Sequence, residues 1–201
     1  MINKQYDIKD SSLIEEIISL MNNSEYRPAL DLIHKRLLNK IDINQRKGTF
    51  LKADLAGFLI DIGSEGCIEE AIIEGMKIFE EDFDSFKKFI HESSIEYNIG
   101  NAKSGLFKIQ RLGEDFKFTP ENIELLIDAK NHYWKSFKLC TSYSKDFNLR
   151  LLTNLANSLD TCGRVVEALQ YYDLVLKEEP NFPEANFCRA QALIWLNHLS
   201  G

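Results

Sequence analysis

The feature that most constrains this chain is a 34-residue unit, Leu149 to Phe182, after which Pro183 begins what reads as the next copy. Within it Leu152, Leu155, Ala156 and Leu159 fall at helical spacing, Gly163 interrupts, and Val165, Ala168, Leu169, Tyr172, Val175 and Leu176 form a second stripe that stops at Pro180. The pattern predicts a helix, a tight turn and a second helix. Gly163 suits the left-handed conformation that ends a helix, because it has no Cβ to clash there. Ala156 and Ala168 are small enough to let the two helices approach closely, and Tyr172 fills the space beside them. Pro180 lacks the N–H and the torsional freedom to continue, so the chain turns toward its next unit.

The run NLANSLDTCGRVVEALQYYDLVLKEEPNF resembles the tetratricopeptide repeat family in its Leu-Ala pair, turn glycine, alanine, aromatic residue and terminal proline. Degenerate copies precede it, as repeat arrays permit when each unit mainly contacts its neighbours. SSIEYNIGNAKSGL repeats the first-helix pattern through Ile99 and Gly100, and ENIELLIDAKNHYWKSFKL repeats the second through Ala129, Tyr133 and Ser136. The extra residues between them, centred on Gln110 to Pro120, are expected as a loop or as lengthened helix ends. ADLAGFLIDIGSEGCIEEAIIEGMKIFEE gives another pair with a turn expected to be lengthened around Gly63 and Gly66, and SSLIEEIISLMNNSEYRPALDLIHKRLL gives the first. The expected organisation is a single domain over residues 1–201, with approximate repeats at 10–43, 49–82, 93–145 (with the insertion), 149–182 and a partial unit at 183–201. The resemblance implies an all-α fold, a right-handed superhelix or solenoid of antiparallel helix pairs.

The last helix, PEANFCRAQALIWLNHLSG, presents Leu193, Ile194, Trp195, Leu196 and Leu199 without a second helix to cover them. Arrays usually end in a polar cap. This end is therefore expected to continue in a longer parent protein, to pack on a partner or to self-associate. The order YNIGN, insertion, TNLANSLDTCGRVVEAL and PNFPEA, within residues 93–197, is also similar to the N-terminal repeat region of bacterial proteins with a C-terminal HEPN domain. That resemblance implies a sensor or regulatory portion of an RNA-cleaving toxin or defence protein whose catalytic domain lies outside this sequence.

Charge and composition exclude other classes. The net charge is −7, and Glu65, Glu69, Glu70, Glu74, Glu80, Glu81, Asp82 and Asp84 stand against a single lysine, Lys77. Such a surface repels phosphate, and the chain has no basic run to displace counterions, which argues against nucleic acid. The run reads instead as solvated helix face. Cys67, Cys140, Cys162 and Cys188 contain no C-x-x-C pair and are expected as small core residues of a reducing compartment. The polar N-terminus is no signal peptide, and no run approaches the ~18 apolar residues of a membrane span. The expected location is the cytoplasm, with no membrane partner.

No constellation reads as a catalytic centre, and no metal or cofactor is expected. His34, His91, His132 and His198 are scattered and lack metal-binding spacing. Arg27 and His34 form an R-x6-H string like the loose motif of HEPN ribonucleases, but they cross a repeat-like helix and read as surface residues. Phosphate-loop, dinucleotide and nucleophile-elbow motifs do not occur. Glu69 and Glu70 are adjacent, hence about 100 degrees apart on a helix, and cannot converge on one substrate.

The polar residues that recur are asparagines. Asn98 and Asn101 in YNIGN occupy the places of Asn154 and Asn157 in TNLAN, three apart and on one helix face. In tetratricopeptide proteins the first helices line the concave groove, so the resemblance implies a protein- or peptide-binding scaffold whose ligand meets Asn98, Asn101, Arg150, Asn154 and Asn157. An amide offers both donor and acceptor to an extended backbone, and Arg150, one turn before Asn154, offers a charged donor to a peptide carboxylate. The competing role is internal: the asparagines bond neighbouring helices.

Overall fold

The computed structural model describes residues 8–115, 117–140 and 144–199, together with the backbone but not the side chains of Ile8 and Leu199. The expectations that fall on residues 1–7, on the Leu199 side chain and on residues 200–201 lie outside the described residues. Among the described residues the chain is all-helical: α1 (Ile8–Asn22), α2 (Tyr26–Leu37), α3 (Arg46–Gly66), α4 (Glu69–Glu81), α5 (Phe83–Phe86), α6 (Glu92–Gly113), α7 (Pro120–Leu139), α8 (Lys145–Thr161), α9 (Val165–Glu178) and α10 (Pro183–Leu199). None is long and apolar enough to cross a membrane.

Helices pair with their neighbours in opposite directions. Asp10 meets Arg36 across α1 and α2, Lys103 meets Asp128 and Ser93 meets Ser136 across α6 and α7, and Asp173 meets Arg189 across α9 and α10. Small residues set how close a pair comes. At Gly75 a Cβ would stand 2.6 Å from the Ala56 carbonyl oxygen, and at Gly100 it would stand 2.8 Å from the Tyr133 ring. Ala129 and Ala168, which hold Gly75's place in the later pairs, are both fully buried. Buried residues fall into three successive clusters: Ile17, Ile33 and Leu55 under α1–α3, Ile60, Phe79 and Ile99 under α3–α6, and Tyr133, Leu155 and Tyr172 under α7–α9. Each fully buried Leu, Ile or Phe contributes about 1.5 to 3 kcal/mol.

The turns show where sequence reasoning succeeded and where it failed. Gly163 has φ +78, the left-handed conformation its position after α8 demands. The turn after α3 is not lengthened: the helix runs through Gly63 and Gly66, and Cys67, at φ 53, ends it alone by donating its N–H to the Gly63 carbonyl. Gly63 is helical because α4 crosses so closely that a Cβ would lie 2.5 Å from Ile72. Of the two forms expected for the insertion, lengthened helix dominates. α6 continues to Gly113, and Thr119 then opens α7 with a capping box shared with Asn122. The short helix α5, which seats Phe86 edge-on against Phe79, had no counterpart in the sequence reading. The cysteine expectation fails for two of the four: Cys67 and Cys162, at the C-terminal ends of α3 and α8, are exposed, while Cys140 and Cys188 are half-buried against a core cluster.

Glu96 is a buried carboxylate at 2% exposure. It accepts hydrogen bonds from His132 Nδ1 (2.7 Å) and Lys135 Nζ (2.6 Å), tying α6 to α7. Burial pushes its carboxyl up, but these two bonds outweigh burial and hold it below the ordinary value.

Candidate functional site

Helices α3, α6 and α8, the first members of three successive pairs, lie side by side and run the same way. Gly57 faces Asn98 and Ser64 faces Gly105 between α3 and α6, and Tyr97 meets Phe147 while Asn101 meets Asn154 between α6 and α8. Their shared face is concave and holds two adjoining clefts. One, of about 470 Å³, is lined by Asp61, Tyr97, Asn101, Arg150, Asn154 and Asn157 among others. The other, of about 350 Å³, is lined by Asp54, Gly57, Phe58, Asp61 and Asn98 among others. Asp61 borders both.

The five residues singled out from sequence therefore all reach this face, four in the larger cleft and Asn98 in the smaller. Their hydrogen bonds are largely internal. Tyr133 Oη donates to Asn101 Oδ1 (2.9 Å), and Tyr172 Oη donates to Asn157 Oδ1 (2.6 Å). Asn154 Nδ2 donates to Asn101 Oδ1 and to Tyr97 Oη, each at 3.1 Å. Asn98 Nδ2 donates to the Ser94 carbonyl one turn back (2.8 Å), and Arg150 Nε donates to Asp146 (3.0 Å). These are the bonds that buried tyrosine hydroxyls require, since an unpaired one would cost about 1 to 3 kcal/mol. Burial also keeps the Tyr133 and Tyr172 hydroxyls protonated far above the ordinary range. The Asn101 amide is engaged on both sides, its oxygen by Tyr133 and Asn154 and its nitrogen toward the Tyr97 hydroxyl, so what remains for a ligand is the donor half of the Asn157 amide on the cleft wall.

The asparagine-to-tyrosine link recurs in register. In the first of the three pairs, Gly57 and Phe79 stand where Asn101 and Tyr133, then Asn157 and Tyr172, stand later. Loss of the hydroxyl accompanies loss of its acceptor, so neither polar group is stranded in a core where Phe79 is 1% exposed. The same register puts Asp54 at the place of Asn98 and Asn154.

Asp54 and Asp61 are the residues of this face that sequence reasoning missed. Asp54 is half-buried, and the loss of water around it raises its carboxyl to about 7. Asp61 is exposed and lines both clefts. The protein around it, with Glu65 one turn away, raises it to about 6 against the opposing pull of Arg150. Solvent contact screens Asp61 more, so the larger effect belongs to Asp54. The signal was present in the sequence: once the repeats are aligned on Ala56, Gly100 and Ala156, both aspartates fall on the groove face rather than on an outer one.

No family model matches the chain, and no curated protein matches it at a significant level.

Proposed function

We propose that this chain is a repeat scaffold of the tetratricopeptide type, a right-handed superhelix of antiparallel helix pairs, whose concave groove holds an extended segment of another protein. The observation that carries this reading is the pair Asn101 and Asn157. Each gives its oxygen to the tyrosine of its own pair, and both line the wall of the same open cleft. Recurrence at one register on parallel neighbouring helices sets amides at a repeated spacing, which suits an extended backbone irrespective of its side chains. The 34-residue period around Gly163, the close approaches at Gly75 and Gly100, and the side-by-side first helices support the same architecture.

Filling the cleft tests it. Ser104 lines the larger cleft and is half-buried, so Ser104→Trp places an indole where the peptide would run. Partners captured on the immobilised parent protein should lose at least about tenfold in affinity to this variant by calorimetry, with the helical melting transition retained. Equal affinities for two folded proteins would overturn the groove reading.

A further inference from the structure

The groove is chemically uneven, and its α3 side names a partner. α3 presents Asp54, Gly57 and Asp61 at i, i+3 and i+7, one face of the helix, whereas the matching positions of α6 and α8 are Asn98, Asn101 and Gly105, then Asn154, Asn157 and Thr161, with Arg150 one turn earlier on α8. Several carboxylates of the chain are paired with cations: Asp10 with Arg36 (3.0 Å), Asp128 with Lys103 (3.2 Å) and Glu96 with His132 and Lys135. Asp54 and Asp61 are not so paired, although Arg150, on the wall of the larger cleft, exerts a longer-range pull on Asp61. Among the described residues neither forms an ion pair or a hydrogen bond; on the same helix Lys52 pairs with Asp82 and Arg46 stacks on Phe50 at 5.4 Å. The cleft beside them, about 350 Å³, has Phe50, Phe58, Phe79 and Ile90 in its walls, and Gly57 leaves the floor between the carboxylates without a side chain.

Resting on the groove reading above, we infer that the bound segment is basic, and that a Lys or Arg side chain of the partner enters the α3 cleft to pair with Asp54 and Asp61. The fit follows from the two halves of such a side chain. Its methylene stem is apolar and lies along Phe58 and Ile90, and its charged head supplies the close cationic partner that Asp54 and Asp61 lack among the described residues. Aromatic walls add attraction for a cation over their faces. A neutral side chain gains no ion pair there, and an acidic one adds a like charge beside Asp54 and Asp61.

The test uses the whole chain and three blocked, fluorescein-labelled peptides that share one Ser/Leu scaffold and carry Lys, Gln or Glu at the same variable positions, read by fluorescence anisotropy. The Lys peptide should bind at least about tenfold tighter than the other two, and Asp54→Asn with Asp61→Asn should erase that preference. Glu80→Gln with Glu81→Gln removes the same charge from the exposed surface of α4 and should leave the preference intact. A control pair that weakens Lys-peptide binding as much as the groove pair would mean diffuse attraction to an acidic protein and would overturn the inference. So would failure of the Lys peptide to bind. If the Gln or Glu peptide binds as tightly as the Lys peptide and Ser104→Trp abolishes it, the basic-partner inference falls and the groove reading stands. If the aspartate pair matters but Ser104→Trp leaves every peptide unaffected, the cleft stands and the groove reading falls. Circular dichroism melts accompany each variant, and Ser104→Leu, a smaller filler, serves where the indole costs the helical transition.

Discussion

The α3–α4 pair and the α8–α9 pair are built on one frame with opposite polar content. Both cross through small residues, Ala56 and Gly75 in the first and Ala156 and Ala168 in the second, and both seat a large ring one turn beyond. In α8–α9 that ring is Tyr172, anchored through its hydroxyl to Asn157; in α3–α4 it is Phe79, and the position opposite is Gly57. The contact is closer in the first pair by a methyl group. The difference teaches that the helix crossing is fixed by size alone. The groove-facing residues are then free to exchange amides for carboxylates, provided each buried hydroxyl keeps or loses its acceptor together with itself.

Overfilling the crossing should have the largest effect and should be worse in the tighter pair. Gly75→Leu forces a Cβ against the Ala56 carbonyl 2.6 Å away and is expected to cost about 3 kcal/mol or more. Ala168→Leu adds volume where a Cβ is already accommodated and should cost about 1 to 3 kcal/mol. Urea unfolding checks both. A larger loss at Ala168 than at Gly75 would show that the two pairs do not share the frame described here.

The hydroxyl link comes next. Asn157→Ala strands the buried Tyr172 hydroxyl and should cost about 1 to 3 kcal/mol, whereas Asn157→Ala with Tyr172→Phe, which imitates Gly57 and Phe79, should cost less than the two single changes added together. Such a loss would mark the internal role of the groove asparagines, the alternative to ligand binding that the sequence left open. A double-mutant cycle with no coupling would break the comparison.

These two effects also mark what was legible in the sequence. The crossing residues of the clearest repeat were, because size periodicity survives in a linear pattern: Ala156, Ala168, Gly163 and the order of the longer helices follow from spacing, whereas the short α5 does not. The asparagine face was legible as a face. The internal bonds of its members were not, since donor and acceptor sit on different helices, 15 residues apart for Asn157 and Tyr172 and 32 for Asn101 and Tyr133. Asp54 and Asp61 passed as ordinary helix charges because nothing local distinguishes an aspartate in a groove from one in open solvent. The exposed positions of Cys67 and Cys162 were missed for a similar reason: composition names a preference for burial, while helix ends decide it.

A pH effect of moderate size should belong to α3 alone. Asp54 titrates near 7 in the folded chain against 3.8 for an unperturbed aspartate. Between those values the folded state holds a proton that the unfolded state has released. Its contribution to stability is therefore present in full below about pH 4 and is lost as pH rises through 7. Asp54→Asn should remove this slope and stabilise the protein by roughly 1 to 2 kcal/mol at pH 8, less than the full shift implies because the group is only half-buried. The measurement is the difference between parent and variant melts across pH 4 to 8, in which other titrating groups common to both cancel. Parallel curves would mean that Asp54 is as well hydrated in the groove as in the open chain.

The smallest expected effect on stability, and the one that extends the comparison along the chain, lies at α10. This helix packs on α9 through Ala185 and Ala192, both fully buried, in the way each first helix packs on the pair before it. Ala190, however, holds the place of Ala156 and is exposed, because the described residues contain no later helix to cross it. The uncovered face includes Phe187 at 63%, Ile194 at 57% and Trp195 at 64% exposure. An apolar patch of this kind favours association. The chain is expected to self-associate as concentration rises in sedimentation. Trp195→Lys should shift that equilibrium toward monomer while changing unfolding by no more than about 0.5 kcal/mol, since the side chain supports little of the core. If Trp195→Lys leaves association unchanged, another surface brings the copies together. If it instead lowers stability by as much as Asn157→Ala, α10 is packed more like α8 than its exposed residues indicate, and the contrast between covered and uncovered first helices fails.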